Sequence, residues 1–159
     1  MHLIKNVLLA VCTASIVLMA GTSDAAQKQI PTNAPHWGHS RYAIYTYGGD
    51  SFTWEQAERY CENMGGHLVT ITSPQEQAFI EQLNSENRHL WIGAYRPEGT
   101  YFAWVTGERW DYTNWDDGEP SNTGVGGYEN CVVLWPKKWN DLKNDNDWEQ
   151  SGFICEWDD

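Results

Sequence analysis

Asn114-Trp115-Asp116-Asp117-Gly118-Glu119-Pro120-Ser121-Asn122-Thr123-Gly124-Val125-Gly126-Gly127 is dense in Asp, Gly, Pro, Asn and Ser and carries no hydrophobic period. A loop of that length is uncommon in a compact domain unless a function or an ion orders it. Acidic and amide oxygens at the ends of a polar loop are what a hard divalent cation seeks, and calcium takes about six to eight of them in flexible geometry. Glu119, Glu129, Asn140 and Asp141 are of suitable type, and they bracket the loop and the strand that follows it. Solvation alone also explains an acidic loop, so spacing leaves both readings open. A rival calcium loop, Asp145-x-Asp147-x-Glu149 with Glu156 at its twelfth position, fails: Gln150 stands where such a loop needs Gly, and Cys155 lies in an apolar run.

Around this loop the chain alternates short apolar runs with turns. Leu90 to Ala94, Phe102 to Val105, Cys131 to Leu134 and Phe153 to Glu156 read as short strands. Further upstream, Thr53-x-x-Gln56 is a capping box that opens a helix with Trp54, Ala57, Cys61 and Met64 on one face, ended by Gly65-Gly66. Ser73-Pro74-Gln75-Glu76 is a second capping box, leading into Phe79, Ile80 and Leu83. His67 to Ile71 reads as a strand between the two helices. Another strand, with Tyr42, Ile44 and Thr46 alternating, runs to a turn at Gly48-Gly49-Asp50.

The N-terminus has the three parts of a secretory signal: Lys5, the apolar run Val7 to Ala20, and the small-residue exit Ser23-Asp24-Ala25-Ala26. The run holds Thr13 and Ser15 and is too short for a spanning helix of about twenty apolar residues. Residues 1–26 are therefore expected to be removed, residues 27–40 to be a linker and residues 41–159 to be one domain. That places the protein outside the cytoplasm, secreted or extracytoplasmic, with no membrane insertion after signal removal. Loss of Lys5 and Asp24 leaves the formal net charge of −12 with the mature chain. Nucleic acid is a poor partner for it, since phosphate binding needs a basic footprint.

Once Cys12 has left with the signal, Cys61, Cys131 and Cys155 remain, an odd count in an oxidising compartment. Ten Trp and eight Tyr are assigned mainly to the core, with two or three Trp held in reserve for stacking on sugar faces. His36, His39, His67 and His89 stand at no metal-binding spacing.

In order along the chain, the landmarks are the first helix with Cys61, Trp91-Ile92-Gly93, Asn114-Trp115, Gly118-Glu119-Pro120, Glu129-Asn130-Cys131, Trp139-Asn140-Asp141 and Phe153-Ile154-Cys155-Glu156. Together they resemble the C-type lectin-like domain family over about Arg41 to Trp157. The resemblance implies an α+β fold, the C-type lectin-like fold, with two helices flanking small antiparallel sheets and a long calcium-binding loop region. It implies a disulfide between Cys61 and Cys155. The family's second disulfide would join Cys131 to a position occupied here by Asn144, so Cys131 is expected as a buried thiol, with pairing between molecules as the alternative.

The same resemblance implies one calcium ion, held by Glu119, Ser121, Glu129, Asn140 and Asp141, with a cis peptide before Pro120. It implies sugar bound directly to that ion, with Glu119, Ser121, Asn122, Glu129, Asn140 and Asp141 as its contacts. Glu119 favours mannose, glucose or fucose types over galactose types. Ser121 departs from the family's usual Asn, and it lacks an amide donor that Asn122 is placed to supply. The auxiliary calcium site of the family finds Tyr95, Asn122 and Asn130 at its positions, which argues for a single ion. A protein-recognition domain without sugar binding is the alternative function, and oligomerisation is compatible with either. An enzyme is not expected: Asp116, Asp117 and Glu119 cluster on one loop and do not flank a scissile bond. No His-Glu-x-x-His helix or Gly-x-Ser-x-Gly elbow is present either.

Overall fold

The computed structural model describes residues 27–46, 52–97, 100–124, 127–145 and 152–159. The expected signal segment, the turn at Gly48-Gly49-Asp50 and residues 146–151 of the rejected calcium loop, including Asp147 and Glu149, lie outside the described residues. Along the chain run β1 (His36–Trp37), β2 (Ser40–Thr46), α1 (Trp54–Asn63), β3 (His67–Leu68), α2 (Pro74–Leu83), β4 (Leu90–Tyr95), β5 (Ala103–Trp104), β6 (Thr123–Gly124), β7 (Gly127–Tyr128), β8 (Cys131–Trp135), β9 (Lys138–Leu142) and β10 (Gly152–Asp158).

Eight strands form one sheet in the order β1-β2-β10-β4-β8-β9, with β3 on β10 and β5 on β4, while β6 and β7 form a separate ribbon. The sheet is mixed: β10 runs parallel to β4 and antiparallel to β2 and β3. Its side chains alternate between two buried clusters, as a period of two dictates. Leu90, Ile92, Val132, Leu134 and Ile154 enter one, Trp91, Cys131, Val133, Phe153, Cys155 and Trp157 the other. α2 covers the first cluster through Ile80, with Phe79 and Leu83 beside it. α1 covers the second through Trp54, Ala57 and Cys61.

Local signals explain why the helices start and stop where they do. Gln56 N donates to Thr53 Oγ1 at 3.2 Å and Thr53 N to Gln56 Oε1 at 2.9 Å, closing the expected capping box on α1. At the other end Gly65, at φ +75°, allows Gly65 N to reach Glu62 O and Gly66 N to reach Cys61 O, the paired bonds of a Schellman stop. The second capping box forms by half. Ser73 Oγ accepts from Glu76 N at 3.2 Å, but Glu76 turns into the core and accepts from Thr72 N at 2.8 Å and from Tyr42 Oη at 2.9 Å. A strand-to-helix bond has taken the carboxylate that local pattern assigned to the cap.

Cys61 and Cys155 are bonded across 94 residues with Cα atoms 5.4 Å apart, which ties α1 to β10. In the chain-entropy model a loop of that length contributes about 4 to 5 kcal/mol. Cys131 is a free, buried thiol whose pKa burial pushes far up. Asn144, at the expected partner position, accepts from Glu55 N at 3.1 Å, so it satisfies an open donor in the first turn of α1.

Gly93 shows why its motif needs glycine, since a Cβ there would stand 2.5 Å from Leu68 O. Part of residues 27–40, expected as a linker, packs on the domain. Gln29 N donates to Met64 O at 2.8 Å, Tyr42 N to Pro35 O at 3.0 Å, and β1 pairs with β2. Nine of the ten Trp are described and none of these is exposed. Among the described residues the exposed large rings are Tyr60, Tyr101 and Tyr128.

Candidate functional site

Trp139 fixes the platform on which the loop rests. Its ring is fully buried and meets Trp104, Tyr112 and Trp115 edge-on, and its Nε1 donates to Gln77 Oε1 at 3.0 Å. Its backbone anchors the start of the loop. Trp139 N donates to Asn114 O and Asp116 N to Trp139 O, both at 2.9 Å. The far end is anchored three residues further along, at the last residue of β9, where Asn130 N donates to Leu142 O at 3.0 Å. In between, β6 and β7 pair Thr123 with Tyr128, which brings Ser121 and Asn122 back toward Glu129. The Glu119–Pro120 peptide is cis, as expected.

Ser121 is where the acids meet. Its N–H points at Glu119 Oε2, 2.7 Å away, and at Asp141 Oδ1, 2.8 Å away, while its Oγ donates to Glu129 Oε2 at 2.8 Å. Asn122 N donates to Asp141 Oδ2 at 2.9 Å, so both oxygens of Asp141 are held by loop amides. Asp141 is fully buried and Glu129 is 6% exposed, while Glu119 is half-buried at the surface. Burial first, and then the adjacent Asp141 carboxylate, hold Glu119 above the usual carboxylate range against the lowering effect of Ser121 N–H. The fold thus gathers Glu119, Ser121, Asn122, Glu129 and Asp141, five residues spread over 23 positions of sequence, counted from 119 to 141 inclusive. Asn140 is partly exposed on β9 beside Asp141 and takes no part in these hydrogen bonds among the described residues.

Sequence reasoning passed over Arg96, which follows β4 directly. Its guanidinium donates to Asn122 Oδ1 and, at 3.0 Å, to Glu129 O, and its backbone N donates to Asn130 O at 2.7 Å. The rings of Phe102 and Tyr128 flank it, with centroids 4.7 and 4.6 Å from Cζ. One partly buried cation therefore spans both arms of the loop. An Arg in a chain with a net charge of −12 gives no local signal of such a role, because its partners lie 26 and more residues away. Tyr128 is 40% exposed and is the exposed ring that borders the cluster.

The donor set fits a hard cation: three carboxylates of different depth, a hydroxyl and the Asn122 amide in one hydrogen-bonded cluster, with Asn140 next to Asp141 in the chain. Two cavities of about 220 Å³ each, lined among others by Ile44, Leu83 and Arg88 or by Pro31, Ala43 and Tyr45, share no residue with it.

Comparison with known proteins places this geometry among relatives. The family profile described as "Lectin C-type domain" matches residues 50–157. A protein named "Lectin" from Pleurodeles waltl is 30% identical, over 89% of this chain and 88% of its own length. Four further curated relatives are longer, and the chain spans between 32% and 42% of them. Among solved structures, the cow C-type carbohydrate-recognition domain of CD23, studied in the presence of GlcNAc2Man3 oligosaccharide, is 32% identical with a TM-score of 0.70, covering 84% of this chain and 98% of that one. A calcium-independent type II antifreeze protein is 25% identical with a TM-score of 0.65, covering 80% and 93%.

Proposed function

The chain belongs to the lectin C-type domain family, a non-enzymatic one, and from that premise we propose that it is an exported protein binding carbohydrate with a calcium ion at the Ser121 cluster. Glu119, Ser121, Glu129, Asn140 and Asp141 would hold the ion. Bound there, calcium supplies a Lewis-acidic centre that two vicinal sugar hydroxyls can reach. The side chains do the rest of the recognition: Glu119 and Glu129 accept hydrogen bonds from hydroxyl protons, and the Asn140 and Asn122 amides donate to sugar oxygens. The exposed Tyr128 ring offers an apolar face beside them. Glu119 at the cis-proline position supports mannose-, glucose- or fucose-type sugars.

The observation that carries this reading is the convergence of Glu119, Glu129 and Asp141 on one serine, two of them buried and the third raised in pKa by burial first and then by Asp141. Carboxylates drawn together out of water cost free energy that a divalent cation offsets. The signal segment and the Cys61–Cys155 bond support export.

One observation favours the second reading, a protein-recognition domain without calcium or sugar. Ser121 and Asn122 already donate hydrogen bonds to all three carboxylates, and the antifreeze relative of like fold is calcium-independent. A glycan array with and without chelator separates the two. Mannose-, glucose- or fucose-type glycans are expected to bind only with calcium, and Ser121→Asn to strengthen them by restoring an amide. A monosaccharide on one open site should bind at about millimolar strength, or about −4 kcal/mol, with avidity supplied by clustered sites. No binding at saturating calcium, even for Ser121→Asn, hands the function to the second reading.

A further inference from the structure

Away from the loop, β3 and β10 bring together three residues of another chemistry. His67 and Glu156 are direct partners across this antiparallel pair, and Asp158 follows Glu156 by two residues on the same side of β10. One ligand atom from each of His67, Glu156 and Asp158 lies within 4.8 Å of the other two. We propose that these residues form a second cation site, selective for a zinc-type transition metal and independent of the calcium and sugar cluster.

The imidazole is set for this role. His67 Nδ1 stands 2.9 Å from Leu68 O, and a carbonyl can only accept, so Nδ1 carries the proton. When the ring is neutral, that leaves the lone pair of Nε2 facing the carboxylates, the arrangement in which a backbone acceptor fixes the tautomer of a metal-ligating histidine. Nε2 and Asp158 Oδ2 are 3.4 Å apart. A charge-assisted hydrogen bond would draw them to about 2.8 Å, whereas two ligands on one tetrahedral zinc at about 2.05 Å stand about 3.4 Å apart. Glu156 is 4% exposed and is fixed through Oε2 by Thr70 N at 3.0 Å. Asp158 is largely exposed; its Oδ1 accepts from Ser40 Oγ at 3.1 Å, and its Oδ2 faces the imidazole. Glu58 adds negative charge near His67, its Oε2 held by Leu68 N at 3.2 Å. The nearby Lys28 ammonium is bonded to the backbone oxygen of Asp158, not to its carboxylate.

Imidazole nitrogen selects against calcium and toward zinc. Three protein ligands leave the fourth position for water, and the ion would clamp the C-terminal strand to β3. Neither His67 nor Asp158 touches the Ser121 cluster, so the two sites fail or succeed separately.

Calorimetry of the tag-free mature protein with zinc chloride, in saturating calcium, tests the proposal. One zinc per chain is expected. His67→Gln and Asp158→Asn should each weaken it by at least about tenfold. Glu119→Gln and His36→Gln should leave it unchanged. His36 is the informative control, because its Nε2 also faces a carboxylate, that of Asp159 at 3.3 Å. Asp158→Asn alters an exposed side chain and keeps the test valid if His67→Gln does not fold. Absence of saturable zinc binding, equal affinity in Asp158→Asn, or loss in His36→Gln or Glu119→Gln overturns the proposal.

Discussion

On the α1 side of the sheet a covalent bond between Cys61 and Cys155 closes 94 residues, whereas from Pro120 to Asn130 the chain is held by hydrogen bonds and one guanidinium. The first region buries Trp54, Ala57, Trp91, Phe153 and Trp157 against the disulfide. The second buries carboxylates, and its order depends on polar partners whose net worth is about 1 kcal/mol each. A scaffold fixed by covalent and apolar terms thus carries a loop fixed by weaker, reversible ones, which suits the ligand surface proposed there.

The comparison breaks first at the disulfide. Replacing Cys61 and Cys155 together by Ala should cost about 4 to 5 kcal/mol, read as a fall in melting temperature of roughly 15 °C. A fall of only a few degrees would mean that apolar packing alone holds α1 to β10.

Arg96→Met sharpens the comparison from the other side. It keeps an apolar stem between Phe102 and Tyr128 but removes the bonds to Asn122 and Glu129. The expected loss is about 1 to 2 kcal/mol and local. Amide hydrogen exchange at Ser121, Asn122 and Asn130 should quicken by about tenfold or more, while that of β10 stays unchanged. Uniform acceleration across both regions would refute a local strut.

The smallest expected effect is a pH slope shared by both regions. Burial is the first cause raising Glu58, Glu76, Glu119 and Glu156, the last to about 7, above the unfolded value near 4.5. Between those values the folded chain binds more protons than the unfolded one, so stability falls as pH rises from about 4.5 through 7. The metal-free protein should therefore melt higher at about pH 5 than at about pH 8, and Glu156→Gln should flatten the slope. A melting temperature that rises with pH over this window would contradict the sign.

Local physics made much of the molecule legible in sequence. Thr53 and Gln56 close a cap three residues apart, Gly65-Gly66 stops the same helix within one turn, and the short continuous apolar runs at 90–94 and 131–134 are strands whose side chains enter the two clusters alternately. The family motifs carried the identities of Cys61, Cys155 and the loop acids because each is a short string whose chemistry survives without coordinates. What the tertiary structure alone decided lies in cross-strand register and in competition between partners. Glu76 left its cap for Tyr42, thirty-four residues away. Gln29 and Tyr42 found the carbonyls of Met64 and Pro35, pairings in and beside residues 27–40 that sequence could not supply. Arg96 found Asn122 and Glu129 only once β4 and β8 lay side by side, and His67, at no metal spacing in the sequence, met Glu156 because two strands nearly ninety residues apart are hydrogen-bonded in one register. Sequence fixes contacts within a turn of helix or a step of strand, since there the backbone geometry is the same in every protein. It leaves open the contacts whose geometry exists only after the sheet has formed.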